Sequence, residues 1–249
     1  MLKLTSRDRR IVAKCTAAQW LTTSQLRQLF FRDATPDAVR RRLRALASAG
    51  FLVAEHRAFQ EAIYAVGPRG RTILTGYLAE VESPRVPQRL SHLIAVNDLR
   101  VALESGGSPI KFFFACWELT RLGWDHPIIP DAVFSLEREG TRTFMAEYDR
   151  GTESPKIIRA KLPRYGKLLA LFPFDAVMFL VGTEEARVSL SKVLSEEVPD
   201  FTLLVGCHDD VRLLGLWGDV FSLPSSAHRK DSIDYFLARR RADRDLGDR

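Results

Sequence analysis

Two stretches with strand character bring three acids, Asp131, Glu147 and Asp149, towards one place, with Glu153 just beyond, and few folds accommodate that. Residues 129–134 begin an extended run at Pro130-Asp131, and residues 145–153 end one in a charged block of Glu147, Asp149, Arg150 and Glu153. Arg138-Glu139-Gly140-Thr141 between them reads as a tight turn, so the two runs are expected to pair as a hairpin. Pairing gathers Asp131, Glu147 and Asp149 at one end of one sheet, where like charges need a cation or a hydrogen-bond network. Register decides which acids meet. A two-residue turn sets Asp131 opposite Tyr148, and a one-residue bulge moves it opposite Glu147 or Asp149.

Around this hairpin the pattern is α/β. Residues 92–104 form an amphipathic helix with Leu93, Val96, Leu99, Ala102 and Leu103 inward, stopping at Gly106-Gly107. Residues 112–116 are continuously apolar, as in a strand buried on both faces. Ser154-Pro155 caps a basic helix from Lys156 towards Leu171, which Pro163 is expected to bend. Residues 176–181 and 201–206 are two further buried runs, separated by a helix that Thr183 caps and that ends near Leu194. Strand, helix, strand at this spacing is a right-handed βαβ unit, which implies a mixed sheet. Residues 228–249 set Ile233, Phe236 and Leu237 in dense charge, as in a surface helix fraying into a tail.

The first third differs in charge and in pattern. Residues 1–80 hold fourteen Lys and Arg against six Asp and Glu, a balance of +8, while the whole chain is +6. The basic excess is therefore concentrated here and points to a polyanionic partner. A helix over 7–18 turns Ile11, Val12 and Cys15 inward and is followed by Trp20-Leu21. Thr22-Thr23-Ser24 caps a short helix over 25–31 with Leu26, Leu29 and Phe30 inward. A third helix starts at Thr35-Pro36-Asp37 and ends at Ala49-Gly50. Short β-runs at 51–56 and 62–66 come next, then Gly67-Pro68-Arg69-Gly70 and a last helix near 71–79. On the third helix Val39, Leu43 and Leu46 share the core face. Asp37, Arg41, Arg44 and Ser48 lie opposite, with Arg40 and Arg42 on the flanks. Such a helix can enter a major groove and contact phosphates or a guanine edge, with Arg57 near the hairpin tip as a further contact.

Glu82-Ser83-Pro84-Arg85-Val86-Pro87-Gln88 reads as a linker. The expected organisation is α+β in two domains: 1–81, a linker 82–90, an α/β domain over 91–225, and a charged helix or tail over 226–249. No apolar run is long enough for a transmembrane helix, and the first residues lack the apolar core of a signal peptide. Cys15, Cys116 and Cys207 lie far apart without a CxxC, so they read as buried thiols of a cytoplasmic protein and not as a zinc site.

Helix, helix, helix, hairpin, helix is the order of a winged helix-turn-helix, and the first third resembles that group of DNA-binding domains. The later elements, with Pro130-Asp131 and the Glu147 block, resemble the restriction-endonuclease-like fold with its PD-(D/E)xK signature. More narrowly, the chain up to about residue 210 resembles the replication-relaxation family. The resemblance is carried by the opening domain, His92-Leu93-Ile94-Ala95-Val96-Asn97-Asp98-Leu99-Arg100, Trp117-Glu118, Pro130-Asp131, the 147–153 block, Lys161 and Tyr165. It implies a bacterial protein of plasmid or mobile-element replication, relaxation or mobilisation.

In the nuclease motif Asp131 and Glu147 would ligate Mg²⁺, and the residue two past Glu147 would be a lysine. Here it is Asp149, which adds a third possible metal ligand but cannot replace the lysine's positive charge. Lys156 and Lys161 on the following helix are the substitutes, so Asp131, Glu147, Asp149 and Lys161 form the candidate catalytic set; Glu118 or Glu104 is a further candidate ligand. The structural alternative has Asp149, Arg150 and Glu153 closing ion pairs at a strand end and Asp131 capping a turn. His92 and Asn97 are expected to support the core or junction, and His126 a loop. Three functions stay open. One is a duplex-DNA-binding protein, possible as a homodimer, whose α/β domain is non-catalytic or weakly catalytic. The others are a transcriptional regulator dimerising through that domain, and a Mg²⁺-dependent nuclease or nickase.

Overall fold

The computed structural model describes residues 2–56, 60–76, 78, 85–107, 109–137, 140–151 and 153–236. The chain divides into two compact units, Met1–Val101 and Ala102–Arg249. No helix among the described residues is long and apolar enough to cross a membrane.

The first unit runs α1 (Ser6–Ala17), β1 (Leu21–Thr22), α2 (Thr23–Phe30), α3 (Pro36–Ser48), β2 (Leu52–Glu55), β3 (Ile63–Val66) and α4 (Pro68–Arg71). Each long helix is started by a threonine. Thr5, Thr22 and Thr35 accept the N3 amide of α1, α2 and α3, and Asp8 and Gln25 close capping boxes on the first two. The strands form an antiparallel sheet in the order β1-β3-β2. Ile11, Val12 and Cys15 of α1 pack with Leu26, with Val39, Leu43 and Leu46 of α3, and with Leu52, Tyr64 and Val66 of the sheet.

Two details differ from the sequence expectation. Phe31, just past α2, is buried, while Leu29 and Phe30 are half-buried. The last helix is the single turn Pro68–Arg71, and residues 72–75 are not helical; of the expected helix over 71–79, residues 77 and 79 lie outside the described residues. Its glycines serve close approach: a Cβ on Gly70 would lie 2.2 Å from the Phe51 carbonyl oxygen, and one on Gly67 2.5 Å from that of Gly50.

The helix α5 (Leu90–Ser105) packs into this unit along residues 94–98. The fully buried Asn97 donates from Nδ2 to the carbonyls of Ala18 and Trp20, both at 2.9 Å. Gln25 accepts the Thr22 amide at 2.9 Å and donates to Ile94 O at 3.0 Å and Asp98 Oδ1 at 2.8 Å. Of the expected linker, residues 82–84 lie outside the described residues.

The second unit is a mixed α+β layer structure on a six-stranded sheet in the order β4-β5-β6-β7-β8-β9. Its strands are β4 (Ile110–Ala115), β5 (Ala132–Glu137), β6 (Thr141–Asp149), β7 (Ala176–Val181), β8 (Thr202–Cys207) and β9 (Phe221–Ser222). The helices are α6 (Cys116–Arg121), α7 (Pro155–Leu171), α8 (Glu184–Leu194) and α9 (His208–Leu214). β6, β7 and β8 are parallel and the outer pairs antiparallel, so α7 and α8 are the crossovers that parallel neighbours require. Val177, Phe179 and Val181 pack with Ile158, Leu162, Tyr165 and Leu168 of α7 and Leu190 and Leu194 of α8. Across β4, β5 and β6, Phe113, Phe134 and Phe144 stack at centroid distances of 6.1 and 5.2 Å.

The apolar run at 112–116 is not buried on both faces. β4 is an edge strand with alternating burial, and it ends at Ala115 because Glu118 accepts the Ala115 amide at 2.9 Å and opens α6 at Cys116. α7 continues through Pro163 as one helix. Ile233 and Phe236 are buried, beside a bridge between Phe221 and Asp231, and residues 237–249 lie outside the described residues.

Candidate functional site

The β5–β6 ladder resolves the register. Ala132 faces Ala146 and Glu137 faces Thr141, leaving residues 138–140 as the connection. One step beyond the ladder Asp131 comes level with Glu147, and its Oδ2 accepts the Tyr148 amide at 2.8 Å. The turn at 138 and 139 itself lies outside the described residues.

Glu147 is only 4% exposed, and α7 supplies its partners. Lys161 and Tyr165 are four residues apart, so they share the helix face that also carries Ile158, Leu162 and Leu168. Lys161 Nζ lies 2.7 Å from Glu147 Oε2, and the Tyr165 hydroxyl donates a short hydrogen bond to Glu147 Oε1. The same ammonium reaches Glu153 at 2.8 Å. Asp149 is used differently, its Oδ1 accepting the Gly151 amide at 2.9 Å and the Glu153 amide at 3.4 Å. That turn needs the left-handed backbone of Gly151, φ 75°.

Thus Asp131, Glu147 and Lys161 converge, while the Asp149 carboxylate binds the turn that follows its own strand. Lys156 is exposed, and Glu118 is the α6 cap. His126 sits edge-on to Trp124 at 4.5 Å. Among the described residues no group of three or more His, Cys, Asp or Glu is disposed to hold a metal ion.

Burial pushes the Glu147 carboxyl up to about 7, and Asp131 adds to the rise, against Lys161 and Tyr165, which favour the anion. Burial works against the Lys161 ammonium, but Glu147 and Glu153 outweigh it and its pKa is raised. Burial and then Glu147 hold the Tyr165 phenol well above its usual range, so it stays a donor. Burial, with Asp131 behind it, lifts the Cys116 thiol to about 11. The arrangement is a desolvated carboxylate held by one cation and one hydroxyl. Tyr165 as its second partner, and Glu153 as the second partner of Lys161, escaped sequence reasoning; the Lys161–Tyr165 spacing was the usable signal.

The second candidate is the cationic face of α3. Arg40, Arg41 and Arg44 are exposed, opposite the buried Val39, Leu43 and Leu46. Arg40 pairs with Asp37 at 2.5 Å. Arg42 is engaged inside the unit: its Nε donates to Asp8 Oδ1 at 2.9 Å, its Nη2 bonds Asp8 Oδ2 and reaches the Lys3 carbonyl at 3.2 Å. Burial would raise the Asp8 carboxyl, but Arg42 and Thr5 outweigh it and bring it down to about 2. Arg57 lies outside the described residues. Between α2, α3 and the β2–β3 strands lies a groove of about 650 Å³, lined among others by Arg27, Arg40, Arg44, His56, Glu61 and Tyr64.

A family model described as replication-relaxation matches residues 15–172, well over half of the chain. The matched span runs from α1 through α7 and contains α3, the β5–β6 hairpin, Lys161 and Tyr165. No curated protein and no solved structure matches the chain.

Proposed function

The chain belongs to the replication-relaxation family, and from that premise we propose that it is a duplex-DNA-binding protein of plasmid or mobile-element maintenance. In this reading the first unit is a winged helix-turn-helix and α3 is the helix that enters the major groove. The observation that carries it is the row of exposed guanidinium groups at Arg40, Arg41 and Arg44, backed by a buried apolar face, in the part of the chain that holds a +8 balance. Arg42 supports the helix from α1, through Asp8. A homodimer on a two-fold-symmetric site is the assembly this reading takes first.

The second unit is read as endonuclease-like. The support is its order: the antiparallel β4, β5 and β6, then α7 and the parallel β7, with Asp131 before β5 and Glu147 on β6. Its role in this proposal is a scaffold without strong catalysis, because both Glu147 oxygens are engaged by Lys161 and Tyr165 and the Asp149 carboxylate closes a turn. One observation favours a second reading, a Mg²⁺-dependent nuclease: Lys161 reaches Glu147 from α7, while Asp149 stands in the motif's lysine position.

Supercoiled plasmid incubated with the protein and Mg²⁺ or Mn²⁺ separates the two. Binding and gel retardation without nicked or linear product supports the scaffold. Cutting that Glu147→Ala abolishes establishes the nuclease. Absence of duplex binding at low salt refutes the DNA-binding proposal itself.

A further inference from the structure

We propose that Glu61 is a phosphate surrogate in the groove of the first unit, a carboxylate that a DNA phosphodiester displaces when the backbone seats there. The inference rests on the DNA-binding reading above and adds how that surface is kept when empty.

The groove, about 650 Å³, takes Arg27 from α2, Arg40 and Arg44 from α3 and His56 from the end of β2. Among its described lining residues Glu61 is the one acid. Three guanidinium groups around one concavity complement a sugar-phosphate chain, which carries a charge at every nucleotide. A carboxylate in that place opposes such a ligand.

Its contacts explain why it is tolerated. Glu61 is exposed, yet its Oε2 accepts the Ser24 amide at 2.8 Å and the Ser24 hydroxyl at 2.9 Å. One anionic oxygen on an N–H and an O–H is the contact a phosphate oxygen makes with backbone and serine donors. Glu61 thereby puts an anion in the groove's lining while no DNA is bound and satisfies Ser24; Arg40 is paired separately with Asp37. Exposed contacts of this kind are weak, and a rotation of one side chain releases them. DNA then gains the Ser24 donors and the arginines together, at the cost of moving one carboxylate.

The test uses the full chain, a fluorescein-labelled duplex of about 20 base pairs and anisotropy across a salt series, with a thermal melt of each variant to confirm folding. Glu61→Gln is expected to tighten binding by about three- to tenfold near 0.15 M salt and to steepen the slope of log K against log salt by about 0.9, one added phosphate contact. Glu61→Ala, which cannot engage Ser24 at all, is expected to tighten binding similarly. If wild type binds duplex and both variants bind equally or more weakly with an unchanged slope, Glu61 is a tether for the hairpin and the inference falls. If neither wild type nor variants bind duplex even at low salt, the DNA-binding reading falls and takes this inference with it.

Discussion

Replacing Lys161 by methionine keeps most of the side chain's volume and removes the only cation that contacts Glu147 among the described residues. Glu147 would remain 4% exposed, with Asp131 still level with it and only the Tyr165 hydroxyl as a donor. Breaking a buried pair from one side costs about 3–5 kcal/mol. Because the Lys161 side chain is 19% exposed, the lower end, about 3 kcal/mol, is the expectation. The loss should depend on pH. In wild type the Glu147 carboxyl is already raised, to about 7 from 4.5, by burial and Asp131. Removing Lys161 raises it further. An acid whose pKa rises on folding contributes stability that is intact below the unfolded value and is lost as pH climbs through the folded one. Lys161→Met should therefore cost little at pH 5, where Glu147 is protonated in both proteins, and progressively more as pH climbs above about 7, approaching the full loss of about 3 kcal/mol near pH 9. Glu147→Gln/Lys161→Met, which removes both charges, should return to within about 1 kcal/mol of wild type. Urea unfolding followed by tryptophan fluorescence is suited to this, since Trp117, Trp124 and Trp217 lie in the second unit and only Trp20 in the first. Equal losses at pH 5 and pH 8, or less than about 0.5 kcal/mol at pH 8, would refute the reasoning.

Two further perturbations probe the first unit. Asp8 has a carboxyl held at about 2, where Arg42 and Thr5 overcome the effect of burial; its contribution is present above pH 3.8 and is lost as pH falls towards 2, an amount of about 2 kcal/mol. Asp8→Asn should lower stability at pH 7 and flatten the acid limb of Trp20 fluorescence, and an unchanged acid limb would contradict the assignment. Gly70→Ala should cost about 2–4 kcal/mol in chemical denaturation, because the new Cβ meets the Phe51 carbonyl 2.2 Å away and backbone has to shift.

The sequence made element type legible where local chemistry is strong. Thr22, Thr35 and Thr183 all accept the amide expected of an N-cap, and the runs at 176–181 and 201–206 become β7 and β8, the latter shifted by one residue. Elsewhere local pattern was ambiguous. Residues 112–116 are apolar enough for a central strand, yet the run is an edge strand that turns helical at Cys116, a switch signalled only by Glu118 three residues beyond Ala115. At the acidic end, all three carboxylates were candidate metal ligands in sequence, with Asp149 standing in the motif's lysine position. What sets Glu147 apart is non-local, since its partners Lys161 and Tyr165 come from α7, whereas Asp149 meets the Gly151 and Glu153 amides of the turn just after its own strand. Arg42 makes the same point, since its partner Asp8 is 34 residues away and helical periodicity alone set it beside Arg40, Arg41 and Arg44.

Affinity for duplex DNA as a function of salt, in wild type and in Arg41→Ala/Arg44→Ala, tests the central claim most directly. The account predicts a steep linear fall of log K with log salt, with a slope shallower by about 2 × 0.9 in the double variant and weaker binding at every salt concentration. Duplex binding with the same affinity and slope in both proteins would contradict it.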